Sequence, residues 1–281
     1  MITESLANDG YAIIEDFCVE SELDALRSEM CTLHEESSDF IKKHSMTEGQ
    51  SYLLNMVPIR VQKSTEGLSK TENIRSQFEN KKIPHIAEQY LGQGWGVSNY
   101  IYHRACAEEH GTQELFPLHY DNFQNCRCLK GFLYIEDCAI PNGALRYIPK
   151  THLLVRKVLS MKPHASLPDQ ENHLDAMLAV VEEIGLKCFT KEEQEIIKNL
   201  HKIVLDPKHS LKHAIERKAG TLILFDTVGI HGGVSVVRGE RWIARFHLID
   251  RRYRFLNHPE QEGFVLGIIS RLYSRMKRWA N

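Results

Sequence analysis

The sequence predicts a mainly β protein with added α-helix: a double-stranded β-helix (jelly roll, cupin-like) with N-terminal helices packed on one sheet and a helical insertion. Three observations predict it. From residue 96 onward the chain breaks into short β-rich runs bounded by Gly, Pro, Asn or Asp. Helical periodicity is gathered before that point and again in one tract, roughly 157–218. Helices segregated from many short, irregularly connected strands fit a layered jelly roll better than an alternating α/β fold. No internal repeats or low-complexity linkers occur, and 281 residues with 42% hydrophobic content can bury one sizeable core. A single domain spanning 1–281 is therefore expected.

Taken in order, Ile2 to Asn8 reads as a short helix closed by Gly10, and Tyr11 to Ile14 as a strand. Ser21 is placed to cap a helix that runs through Leu23, Leu26, Met30 and Leu33, with Asp24 three residues beyond the cap. Residues 35–80 are polar and mixed, with one apolar patch from Tyr52 to Val57, and carry no clear assignment. Ile83 to Leu91 is a helix stopped by Gly92 and Gly94. Strands are expected at 97–102, 115–121, 129–135, 144–148, 221–225 and 241–249, with a turn at Pro141-Asn142-Gly143. In the insertion at 157–218, Leu174, Met177, Leu178, Val181 and Ile184 form one helical stripe. Thr190 caps a second through Ile196, Ile197, Leu200 and Ile203. These helices either cover a sheet edge or form a lid over a site, and the pattern leaves both open. Phe264 to Trp279 is amphipathic and basic, as a helix resting on a membrane surface would be, but a helix docked on the domain is the preferred reading.

Composition narrows the function classes. A net charge of −2 gives no reason to invoke nucleic acid. No signal peptide and no run of eighteen apolar residues is present, so neither secretion nor a membrane span is expected, and a cytoplasmic location is. Seven cysteines at irregular spacing read as reduced thiols rather than a disulfide framework. Cys126-Arg127-Cys128 lacks the spacing of a zinc site.

The chemistry lies in His119-Tyr120-Asp121 and, a little over a hundred residues later, His231. Two imidazoles and one carboxylate can occupy one face of an octahedral iron(II) and leave the opposite positions open for a bidentate co-substrate and dioxygen. Three other triplets have His followed two residues on by an acid, at His34, His173 and His258. Side chains at i and i+2 share a face on a strand but diverge on a helix. The first and third of the four triplets sit in helical patterns, and the last has Pro259 at its centre, which leaves His119 and Asp121 as the pair able to converge from an extended run.

Four segments together resemble the phytanoyl-CoA dioxygenase family of Fe(II)- and 2-oxoglutarate-dependent oxygenases. Asp9 to Phe17, with Glu22 to Arg27 after it, looks like the family's opening. His119-Tyr120-Asp121 is similar to its first metal motif, Asn142 to His152 to its Asn-Gly-x-Leu-x-x-Ile-Pro-Gly-Ser-His signature, and Ala219 to Gly232 to its distal-histidine strand. Lys150 stands where the family commonly has glycine, and the 157–218 tract is longer than in many relatives.

The resemblance implies His119, Asp121 and His231 as iron ligands, with 2-oxoglutarate and O2 consumed and a small-molecule substrate hydroxylated at an unactivated carbon. Relatives that halogenate lack the carboxylate that Asp121 supplies. The family also implies an arginine for the far carboxylate of 2-oxoglutarate: Arg241, ten residues past His231, is preferred over Arg245, which shares its strand face and is the other cofactor-binding candidate. Tyr102 and Lys130 fall where relatives contact the co-substrate. Asn99, Arg104, Asn122 and Gln124 are polar residues near the expected mouth and are candidate substrate contacts, while His152 is expected to hold a turn. Two rival readings are a cupin-like metal enzyme that does not use 2-oxoglutarate, and a catalytically silent jelly roll that binds a ligand or partner. Succinate formation separates the first rival and a tight Fe(II) site the second.

Overall fold

The computed structural model describes residues 1–43, 72–79, 81–106, 117–121, 127–162 and 174–250. Helix α1 (Ile2–Asp9) ends at Gly10, whose φ of 84° lets its N–H reach the Leu6 carbonyl, and β1 (Tyr11–Ile14) follows at once. α2 (Glu20–Lys43) starts slightly before the predicted cap. Glu22 accepts from the Val19 N–H at 2.9 Å, the reach-back expected of Asp24 to Ser21. α3 (Glu72–Glu79) and α4 (Ile83–Leu91) complete the N-terminal helical layer.

Two antiparallel sheets follow. The larger contains β1, β2 (Trp95–Cys106), β3 (Cys128–Tyr134), β6 (Leu222–Asp226) and β8 (Glu240–Asp250) in the order β1-β6-β3-β8-β2. The smaller contains β4 (Leu145–Tyr147), β5 (Ala214–Ile215) and β7 (His231–Gly233) in the order β5-β4-β7. Strand alternation sorts the large sheet into two faces. Leu129, Leu133, Leu222, Leu224, Ala244, Phe246 and Tyr102 join the helices in one core, whereas Tyr134, Ile223, Phe225 and Ile243 meet Leu145, Tyr147 and Ile215 of the small sheet in another.

The insertion forms a third core. α5 (Thr151–Met161), a helix the sequence reading does not assign, precedes α6 (Leu174–Ile184) and α7 (Lys191–Leu205). α7 carries the full capping box: Thr190 accepts from the Glu193 N–H while Glu193 accepts from the Thr190 N–H. Its apolar face, with those of α5 and α6, packs on Leu118, Tyr120, Ile148, Val228 and Ile230. Leu118 and Tyr120 alternate with His119 and Asp121, so the described insertion helices back the metal-motif strand. Their apolar stripes are buried against the reverse of that segment.

Lys150 has a left-handed φ of 66°, so a side chain occupies the conformation that glycine serves most easily. The described cysteines are free thiols. Among the described residues no helix is long and apolar enough to cross a membrane. The apolar patch at 52–57 and the segment 264–279 lie outside the described residues.

Candidate metal centre

His119, Asp121 and His231 come together although a hundred residues separate the first from the last. His119 and His231 form an antiparallel bridge with reciprocal backbone hydrogen bonds of 2.9 and 2.8 Å, within the described part, 117–121, of the strand expected at 115–121. The Asp121 N–H donates to the Thr227 carbonyl at 2.8 Å, tying the first motif to the turn before β7. One donor atom from each of the three side chains lies within 4.8 Å of the others. The His119 and His231 Nε2 atoms are 3.9 and 3.8 Å from the two Asp121 oxygens, and the imidazole centroids are 4.5 Å apart.

Each imidazole is oriented by its other nitrogen. Nδ1 of His119 lies 3.0 Å from the Pro117 carbonyl and Nδ1 of His231 lies 2.8 Å from that of Gly229. A carbonyl only accepts, so both Nδ1 atoms carry the proton and both Nε2 atoms present a lone pair to the shared point. Nε2 of His231 is buried without a hydrogen-bond partner among the described residues. An orphaned acceptor of this kind fits a missing ligand bond. Burial pushes the His231 imidazole down to about 3 and so holds it neutral, although Asp121 pulls the other way. Burial opposes ionisation of Asp121 as well, but the Lys130 ammonium beside it outweighs that and holds the carboxyl well below its ordinary range.

Lys130, a predicted cofactor residue, touches this centre directly. Its Nζ is 2.9 Å from Asp121 Oδ2 and, at 8% exposure, it is nearly dry. Lys130 pairs across the sheet with Phe225 and His247, which sets its face as the one turned toward the small sheet. Arg245 and Arg241 lie on that same face of β8, two and six residues before His247. Arg241 donates from Nη1 to the Gly143 carbonyl at 2.7 Å and has Nη2 3.3 Å from His103 Nδ1.

Tyr102 and Arg104 turn away from the small sheet. Tyr102 points to the helical layer, where its hydroxyl donates to Glu29 of α2 at 2.9 Å. Arg104, two residues on and therefore on the same face, pairs with Glu240 at 2.6 and 3.0 Å and lies over the Trp242 ring. In both cases the register of β2 is one residue from the one that would turn them inward. Asn99 stands opposite His247, while Asn122 and Gln124 lie outside the described residues. His152 Nε2 donates to the Ala7 carbonyl at 3.2 Å and ties α5 to α1.

A family model described as Phytanoyl-CoA dioxygenase (PhyH) matches residues 6–236, ending before β8. No curated protein matches the sequence. Among solved structures, the non-heme alpha ketoglutarate dependent carbocyclase SnoK from nogalamycin biosynthesis is 15% identical with a TM-score of 0.53, over 89% of this chain and 83% of that one. The epimerase SnoN from the same biosynthesis, in complex with Fe3+, alpha ketoglutarate and nogalamycin RO, is 13% identical with a TM-score of 0.52, over 89% and 82%. At these identities the likeness is one of fold.

Proposed function

Because the chain belongs to the phytanoyl-CoA dioxygenase family of Fe(II)- and 2-oxoglutarate-dependent oxygenases, we propose that it hydroxylates an unactivated carbon of a small metabolite or natural-product intermediate. The metal would be held by His119, Asp121 and His231. On this reading the two sheets are the halves of one double-stranded β-helix, and residues 1–281 are a single domain. The observation that carries the proposal is the convergence, within 4.8 Å, of two imidazoles already in the right tautomer and one ionised carboxylate. Bound there, Fe(II) would supply the coupling of 2-oxoglutarate decarboxylation by dioxygen to oxidation of the substrate.

The chain's own residues supply position and charge. The Pro117 and Gly229 carbonyls keep both imidazoles aimed, and Lys130 engages Asp121 Oδ2, which holds the carboxylate in place beside them. Arg241 would receive the far carboxylate of 2-oxoglutarate, since a planar guanidinium binds both oxygens and stays charged. Its contacts with Gly143 and His103 fix the side chain beforehand, so less rotamer freedom is lost on binding. Arg245, nearer to His247 on the same face, would border the substrate side, with Asn99, Asn122 and Gln124 as further contacts.

The test is a succinate-release screen of small-metabolite pools with anaerobically loaded Fe(II), followed by mass spectrometry of the consumed compound. Hydroxylation adds one oxygen. SnoN is described as an epimerase and SnoK as a carbocyclase; epimerisation would leave the mass unchanged, and ring closure would remove two hydrogens. Turnover of a substrate without succinate would favour a cupin-like enzyme, and failure to hold Fe(II) a silent binding protein.

A further inference from the structure

One buried carboxylate lies behind the metal centre without belonging to it. Asp226, fully buried at the end of β6, accepts at Oδ2 from the Tyr90 hydroxyl of α4 at 2.5 Å and from Arg156 Nη2 of α5 at 2.6 Å. Oδ1 accepts from the Val228 N–H at 3.1 Å. Its main chain is occupied as well. The N–H donates to the Gly10 carbonyl at 2.8 Å, and the carbonyl accepts from the Gly229 N–H at 3.0 Å and the Tyr147 hydroxyl at 3.1 Å.

The turn held in this way, residues 226–230, presents two carbonyls to the ligand residues. Thr227 receives the Asp121 N–H and Gly229 receives Nδ1 of His231, both at 2.8 Å. A shift of the turn therefore moves two of the three ligands together. The turn has little freedom on its other side, since a Cβ at Gly229 would lie 1.9 Å from the Tyr147 hydroxyl.

We propose that Tyr90, Arg156 and Asp226 form a positioning clamp that sets the aim of His231 and Asp121, so that metal affinity is governed from α4 and α5. The clamp rests on the metal-centre reading. Residues that orient ligands from behind weaken metal binding about 10- to 100-fold when changed. The Arg156–Asp226 pair is suited to this because its carboxylate joins two helices to a main-chain N–H of the turn itself, which a surface ion pair does not.

Co(II) uptake by the full chain, followed through its visible absorption, tests the clamp, with Co(II) standing in for iron because the same nitrogen and oxygen donors bind it. Arg156→Met and Tyr90→Phe should weaken uptake about 10- to 100-fold and alter the absorption bands. Tyr90→Phe keeps the ring in the core, so it serves where loss of the buried charge pair impairs folding. Arg156→Lys, which keeps the charge, should recover most of the affinity. Lys157→Met is the control: Lys157 is the next residue on α5, is similarly exposed (29% against 27%) and pairs with Glu193 of α7. It should bind Co(II) as the wild type does. Wild-type affinity in both Arg156→Met and Tyr90→Phe, or an equal loss in Lys157→Met, would overturn the clamp. A wild-type chain that takes up no Co(II) would overturn the metal centre itself and the clamp with it.

Discussion

Asp121 is both a proposed ligand and the counter-ion of a nearly dry ammonium, so its replacement has two consequences. Asp121→Gly removes one donor and leaves Lys130 buried without that partner. Turnover should be lost, and a variant that kept full activity would show that the carboxylate is not a ligand. Lys130→Met keeps the donor and should reduce metal affinity by about 10- to 100-fold without abolishing uptake, as measured by Co(II) titration. Arg241→Leu should raise the KM for 2-oxoglutarate at least tenfold with metal affinity intact, because a charge-assisted pair is lost and no ligand is touched. If Arg245→Leu does this and Arg241→Leu does not, the anchor is Arg245. At this scale the sequence was uneven. His119 and Asp121 were legible because two alternate residues in an extended run face the same way. Tyr102 was not, because β2 has apolar and aromatic residues on both faces, and without alternation nothing in the sequence tells which of Tyr102 and His103 turns inward.

The helices of the insertion show the same division between what a pattern gives and what it omits. A stripe at helical spacing marks the apolar faces of α6 and α7, and Thr190 with Glu193 marks where α7 begins. The stripe does not name the surface that it covers. That surface is the back of the metal-motif strand, which a chain read residue by residue places far from α7. α5 escaped notice because its apolar residues, Leu154, Val155, Val158 and Leu159, run directly on from the signature segment with no side-chain cap at Lys150 to announce a helix. Thr190→Ala should lower stability by about 1 kcal/mol through loss of the cap, read as a fall in Tm with metal uptake unchanged. Amide exchange in the buried turns of α6 and α7 should be as slow as in β6 and should not respond to 2-oxoglutarate, as befits a scaffold. Fast exchange that ligands suppress would favour a lid instead.

Across the whole molecule, one strand layer separates two jobs. The outward face of the large sheet is committed to packing on α1 to α4, and the inward face carries Lys130, Arg241, Arg245 and His247 toward the small sheet that holds His231. His231, remote in sequence from His119 and Asp121, is thereby brought to them by sheet, bridge and turn, and the three proposed ligands are fixed before any metal arrives. Metal binding to this folded site should raise Tm in proportion to occupancy, by an amount equivalent to about 2.7 kcal/mol at a hundredfold excess over Kd. Removal by a chelator should reverse it. Joint binding of iron and 2-oxoglutarate at this site can be tested without knowing the substrate. Anaerobic calorimetric titration of 2-oxoglutarate into the chain loaded with Fe(II) should show one equivalent bound. The same titration without metal, or into Asp121→Gly, should show binding weakened or abolished. Equal binding with and without Fe(II), or no binding to the loaded wild type, would contradict the account.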